Sequence, residues 1–248
     1  MTKRPSKDTL LKMIKQDTES RECAFTSLTD NEVTNKSGAL DAIAGKTMYI
    51  AISTFLLGNT AKSLELLNEA VEYYLKALKE GQKNIPPEKK WIDIRYVGVS
   101  YDYENAVHCS IIASNLQMTK SLLDLLYPPW DTPLWVKEYP YALKYYFNGE
   151  YEEALKLTEK LEQKKGEKKI YKPLGLLLKA IIQKDRVLFG EALTELLKIH
   201  HNLATRGNLR YTADSYICLH GLALAKLAQQ AGIQVEVEND YMPKTLFE

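Results

Sequence analysis

Four short breaks, at Gly58-Asn59, Ser114-Asn115, Asn148-Gly149 and Lys184-Asp185, each separate two runs whose apolar residues recur at helical spacing. The clearest unit spans Tyr139 to Lys164. Tyr141, Ala142, Tyr145 and Tyr146 line its first run, Phe147-Asn148-Gly149 turns, and Tyr151, Ala154, Leu155, Thr158 and Leu161 line its second. Ala39 to Leu57 pairs in the same way with Ala61 to Leu78, Tyr103 to Ala113 with Met118 to Leu126, and Leu174 to Ile182 with Val187 to Leu203. Two helices around a short turn form a hairpin with one apolar face that a neighbour must cover, so stacked hairpins share a core. With 45% hydrophobic residues over 248 positions there is enough apolar material for such a core. The expected fold is all-α, a stack of antiparallel helical hairpins forming a single domain over residues 1–248.

Asn115 and Gly149 lie 34 residues apart, and Gly149 and Asp185 lie 36 apart. The stretch Asn148-Gly-Glu-Tyr-Glu-Glu-Ala-Leu155 resembles the turn and second-helix start of a tetratricopeptide repeat, whose period is about 34 residues. The resemblance implies a tetratricopeptide-like α-solenoid. Two proline-bearing segments interrupt the pattern, Gly81 to Lys90 and Tyr127 to Pro140, and both are expected as ordered turns because proline removes a donor and fixes φ. Lys164 to Lys169 is expected as a solvated connection.

The C-terminal region has a different grammar. Tyr216 to Ala231 is rich in small and apolar residues nearly all the way round, as a helix packed inside the molecule would be. Gly232 suits a left-handed helix stop. Ile233, Val235 and Val237 then alternate with Gln234, Glu236 and Glu238, predicting a short extended segment with one buried and one acidic face. Leu222 to Ala228, Gly232 to Glu238, Asp240, Tyr241 and Pro243, with Leu246 and Phe247 behind them, resemble the C-terminal signature of the bacterial immunity protein 49 family. The likeness is strongest from His200-His201 onward. It implies an inhibitor that binds and neutralises a cognate protein toxin exchanged between competing bacteria, with no cofactor.

Lys+Arg 33 against Asp+Glu 32 gives a net charge of +1, which argues against a direct nucleic-acid or anionic-membrane partner. The longest apolar run, Met48 to Leu57, is half the length needed to span a bilayer, about 20 residues. The basic N-terminus leads into the mixed stretch Asp8 to Arg21 without an apolar core of the secretory kind. These features predict a cytoplasmic protein. Cys23, Cys109 and Cys218 are far apart and outside metal spacing, so they are expected as small core fillers.

No catalytic pattern emerges. His108 and Cys109 are adjacent, and adjacent helical residues diverge by about 100°, which places them badly for nucleophilic work. Glu104 and His108 share a helix face, but two ligands do not close a metal site. His200-His201 falls near a helix end, where one ring is expected buried with a hydrogen bond and the other at the surface. His220 is expected as a hydrogen-bonded core residue. No phosphate loop, nucleophile elbow or HExxH motif occurs. The expectation is a protein that is not an enzyme, with no catalytic residues, metal or cofactor.

Sixteen tyrosines provide apolar area with a polar tip, suited to packing and to interfaces. Tyr103 and Glu104 near a helix start, Tyr145 and Tyr146, His201, and the acidic Glu236 and Glu238 are the candidates for partner contact. Gly232, Asp240, Tyr241 and Pro243 are expected as structural elements of the tail. Two functions fit this pattern: a toxin-neutralising immunity protein acting by stoichiometric occlusion, or a tetratricopeptide-like adaptor unrelated to toxins. A helical hydrolase would rest on scattered His and Glu residues. The toxin's chemistry and the oligomeric state are not written in the sequence.

Overall fold

The turn residues explain why the chain folds back where it does. In the computed structural model, which describes residues 5–29, 35–83, 100–126, 137–207, 209–210, 212–237 and 239–246, each expected hairpin is present. Among these residues there are ten α-helices and three short 3-10 turns, and no strand. Gly58 (φ 92°), Ser114 (57°), Gly149 (79°) and Lys184 (56°) are all left-handed. After each, the next N–H reaches back five residues: Asn59 to Thr54, Asn115 to Ser110, Glu150 to Tyr145 and Asp185 to Ala180, at 2.9–3.2 Å. That bond satisfies a carbonyl the ending helix would leave orphaned. Asn115 and Asp185 then cap the following helix through their side chains, accepting from the N–H groups of Met118 and Leu188.

The chain groups into two compact units, Lys3–Leu134 and Trp135–Glu248. The first contains α1 (Lys7–Thr29), α2 (Lys36–Leu56), α3 (Thr60–Lys83), α4 (Ser100–Ile112) and α5 (Leu116–Asp124), each packed on the next. Two serines fix the register of α2 against α3. Ser63 Oγ donates to the Ala51 carbonyl at 2.8 Å and Ser37 Oγ to the Ala77 carbonyl at 3.0 Å. Both pairs are centred on residue 57, as an antiparallel hairpin requires. Asn115 Nδ2 donates to Asn68 Oδ1 at 2.9 Å and so ties the α4–α5 turn to α3. By length and composition alone α2 is apolar enough to cross a membrane, and half of that apolar window is buried against the rest of the protein.

In the second unit, α6 (Glu138–Asn148), α7 (Tyr151–Glu162), α8 (Tyr171–Gln183) and α9 (Arg186–Arg206) pack in sequence, with α10 (Leu219–Gln230) against α8 and α9. The approach of α8 to α7 depends on Gly175: a Cβ there would lie 2.7 Å from Leu161 Cβ and 3.2 Å from the Thr158 carbonyl. Lys164 joins the end of this hairpin to its start, its Nζ 2.8 Å from Glu138 Oε1. Burial opposes ionisation of Glu138, but hydrogen bonds from Lys164 and the backbone outweigh it and hold the carboxyl below its ordinary range.

Several expectations need correction. The mixed stretch near the N-terminus, to which the sequence pattern assigns no element, is a full helix, α1, with Lys46–Asp17 at 2.9 Å linking it to α2 and Arg21–Glu69 at 3.4 Å linking it to α3. Cys23 on that helix is exposed, unlike buried Cys109 and Cys218. Gly81 still belongs to α3, and Pro140 sits in the first turn of α6, where its missing N–H has no helical partner to lose. The rest of those two proline segments, 84–90 and 127–136, lies outside the described residues. The helix expected from Tyr216 begins instead at Leu219, because Tyr216 closes a 3-10 turn and the Cys218 N–H is taken by the Tyr241 carbonyl at 2.9 Å.

Candidate functional site

Two features of the second unit gather the residues singled out in the sequence. The first is the C-terminal segment. Gly232 (φ 85°) ends α10, and Ile233 N–H reaches back to the Ala228 carbonyl at 2.8 Å, the same closure used at the hairpin turns. Beyond it, Ile233 and Val235 are buried, Gln234 and Glu236 are exposed, and Val237 is half-buried, so the alternation sorts the side chains as their polarity demands. Glu238 lies outside the described residues.

The segment then turns and is clamped. Tyr241 is 6% exposed. Its hydroxyl shares a 2.9 Å hydrogen bond with Nδ1 of His201, and its ring stands edge-on to His200 with centroids 4.7 Å apart. Asn239 caps the turn, its Oδ1 accepting from the Tyr241 N–H and its carbonyl from the Met242 N–H, both at 2.9 Å. Of the two residues expected to tie the tail down, Asp240 and Tyr241, only Tyr241 is buried; Asp240 is exposed, and its neighbour Asn239 supplies the side-chain bond of the turn. Met242 rests on Gly221 in the first turn of α10, where a Cβ would come within 2.7 Å of its Sδ. Pro243 opens a last 3-10 turn, its carbonyl accepting from Leu246 N–H at 3.1 Å.

The histidine pair at the end of α9 divides its roles differently from the expectation. The hydrogen-bonded ring is half-exposed His201, whereas His200 is 4% exposed and its Nε2 has no hydrogen-bond partner among the described residues. Burial, reinforced by the neighbouring His220 and His201, pushes His200 down to about 3. Burial likewise pushes the Cys218 thiol up to about 12, against a backbone hydrogen bond at Gly221 and with Asp214 adding to the rise. At neutral pH this cluster therefore contains an uncharged imidazole and an un-ionised thiol. A thiol held protonated is not a nucleophile, and an imidazole this hard to protonate is a weak base. Among the described residues no group of three or more His, Cys, Asp or Glu side chains is placed to hold a metal ion.

The second feature is the α6–α7 turn. Tyr145 and Tyr146 are half-buried on α6. Tyr146 contacts Phe147 and Tyr151, with ring centroids at 5.5 and 5.8 Å. Burial raises the Tyr146 hydroxyl above its usual range, with nearby Tyr151 adding to the effect. Tyr151, expected to line the hairpin interior, is 50% exposed. Sequence reasoning missed it as a surface residue; the three glutamates crowded around Tyr151 were the available signal.

The other candidates are dispersed. Tyr103 and Glu104 are 6% and 3% exposed within the first unit, one turn inside α4, and Tyr103 Oη donates to the Leu122 carbonyl at 2.9 Å. Burial removes both from any surface contact. His108 and Cys109 are interior as well. Glu236 faces solvent and pairs with Arg186 at 2.7 Å, an exposed contact of small energetic weight. The structure thus brings His200, His201 and Tyr241 together and leaves Tyr145, Tyr146 and Glu236 as accessible candidates.

A family model described as immunity protein 49 matches residues 93–246, more than half of the chain. The matched region takes in α4 and α5 as well as the described second unit through Leu246, well beyond the C-terminal signature. No curated protein and no solved structure matches the chain.

Proposed function

Because this chain belongs to the immunity protein 49 family, we propose that it binds a cognate antibacterial toxin in the cytoplasm of the producing cell and neutralises it stoichiometrically. It does so by covering the toxin's active site or a surface its substrate must reach. The observation that carries this reading is the family match from residue 93 to residue 246. An all-α frame presenting accessible aromatic and acidic side chains suits recognition of another polypeptide.

Co-expression tests the proposal. The product of the adjacent reading frame should arrest growth when expressed alone and be tolerated when this chain is made with it, and the two purified polypeptides should form a complex of fixed stoichiometry. Equal toxicity with and without the chain refutes the proposal. Recovery of a housekeeping partner in the absence of any toxin would favour a tetratricopeptide-like adaptor.

A further inference from the structure

The tip of the α6–α7 hairpin contains an arrangement the fold itself does not require. Tyr146 is the hub of three rings, edge-on to Phe147 at 83° and tilted against Tyr151. Tyr151 occupies the first position of α7 half in solvent, where it contributes little to a core. Between Lys144 and Lys156 the chain has Glu150, Glu152 and Glu153 and no cation. Glu153 pairs with Lys156, and Glu150 Oε1 accepts from Asn148 Nδ2 at 3.0 Å. Glu152 makes no ion pair among the described residues.

Carboxylates in the first turn of a helix are favoured by its dipole, which accounts for Glu152 and Glu153. It does not account for the rings. The comparison within the molecule is Phe25 and Tyr73 in the first unit, 5.5 Å apart, which have Arg21 and Lys76 lying over them. Their negative faces are already met by cations. Among the described residues no cation lies over Tyr146, Phe147 or Tyr151.

The geometry points to this tip as the docking face for a basic patch on a protein partner. Tyr151 and Tyr146 act as central anchors and Glu150 and Glu152 as the acidic rim that orients the approach. A Lys or Arg of the partner gains both a ring face and a carboxylate here. A second copy of the chain is the poorer occupant, because a two-fold pairing through this tip would set carboxylates against carboxylates. The inference rests on the toxin-binding reading, in which the partner is the toxin.

The test uses the full-length chain and a non-toxic point variant of the polypeptide from the adjacent reading frame, titrated calorimetrically at two salt concentrations. Tyr151→Ser and the double substitution Glu150→Lys with Glu152→Lys alter exposed side chains, and thermal melts check that the fold persists. Should Tyr151→Ser lower the melting point, the double variant decides. The expected result is at least about a tenfold loss of affinity for each, at an unchanged melting point for Tyr151→Ser and with only the small drop that reversed charge at a helix start brings in the double variant, which also loses most of the salt dependence. Wild-type affinity in both variants overturns the docking face while leaving toxin binding intact. A wild-type chain that neither binds nor protects overturns both. If sedimentation shows that Tyr151→Ser breaks up a self-associated form without weakening toxin binding, the face belongs to chain-to-chain assembly and the inference fails.

Discussion

The hydroxyl of Tyr241 lies 2.9 Å from Nδ1 of His201, forty positions earlier in the chain, and the same ring stands edge-on against His200. One side chain therefore joins the C-terminal segment to the end of α9 through a polar contact and an apolar one. The two contributions are separable. Tyr241→Phe removes the hydrogen bond and keeps the ring; since His201 is half-exposed and water can replace the bond, the expected cost is about 1 kcal/mol. Tyr241→Ala also empties a buried aromatic site and should cost about 3–4 kcal/mol. Urea unfolding of both variants checks the ratio. Equal losses would mean that the ring contributes nothing.

His200 makes the same region sensitive to acid. Its folded-state value is about 3 against an ordinary 6.5, so the unfolded chain takes up this proton more readily than the folded one. The folded state keeps its full advantage above pH 6.5 and loses it progressively as the pH falls towards 3. Between pH 7.5 and pH 5 this single group should cost about 2 kcal/mol. His200→Gln has nothing to titrate there and should show a stability-versus-pH curve flatter by about that amount. Parallel curves for the two proteins would rule out His200 as the source.

The crossing of α7 and α8 at Gly175 admits no methyl group. Gly175→Ala places a Cβ against Leu161 Cβ and a backbone carbonyl, neither of which is a flexible tip that can swing aside. The helices must separate, at an expected cost of about 1–3 kcal/mol. By contrast Gly190 on α9 has open space around its Cβ position. Gly190→Ala should be stabilising by about 0.5–1 kcal/mol through helix propensity alone. Thermal melts of the two variants moving in the same direction would contradict this account.

The hairpin turns offer a paired test of backbone strain. Gly149 at φ 79° has nothing within 4 Å of its Cβ position, so Gly149→Ala should destabilise by about 1 kcal/mol for conformational reasons only. Lys184 adopts φ 56° with a side chain present. Lys184→Gly should relieve that strain and raise stability by about 0.5 kcal/mol, the gain being reduced by the extra freedom of glycine in the unfolded chain. Chemical denaturation resolves both; a loss at Lys184→Gly would show that the turn bears no strain.

The hairpins were legible because periodicity and turn chemistry agree in them: Gly58 and Gly149 fall where apolar spacing breaks, and Asn115 and Asp185 are caps as well as turn residues. Helix α1 was not legible for the opposite reason. Leu10 and Asp17 are its buried positions, and the contacts that fix it, the Lys46–Asp17 and Arg21–Glu69 pairs and the Phe25–Tyr73 ring contact, reach residues 29 and 48 positions away and leave no local pattern. The start of α10 was misread because a backbone donor at Cys218 is claimed by a carbonyl far along the chain, a tertiary effect with no local trace. The tail's inward and outward faces could be read from strict alternation, and its clamp could not, since adjacent histidines do not reveal which ring a distant tyrosine will meet. Tyr103 and Glu104 looked like surface residues at a helix start. The helix begins earlier, at Ser100, and carries them into the interior.

The bond from Cys218 to Tyr241 also orders events in time. A nascent chain can wind α6 to α9 from local contacts as they emerge, but the entrance to α10 stays unfinished until residue 241 has cleared the ribosomal tunnel. Until that acceptor arrives, the Cys218 N–H lacks its native partner, so the entrance to α10 is finished among the last steps of folding of this unit.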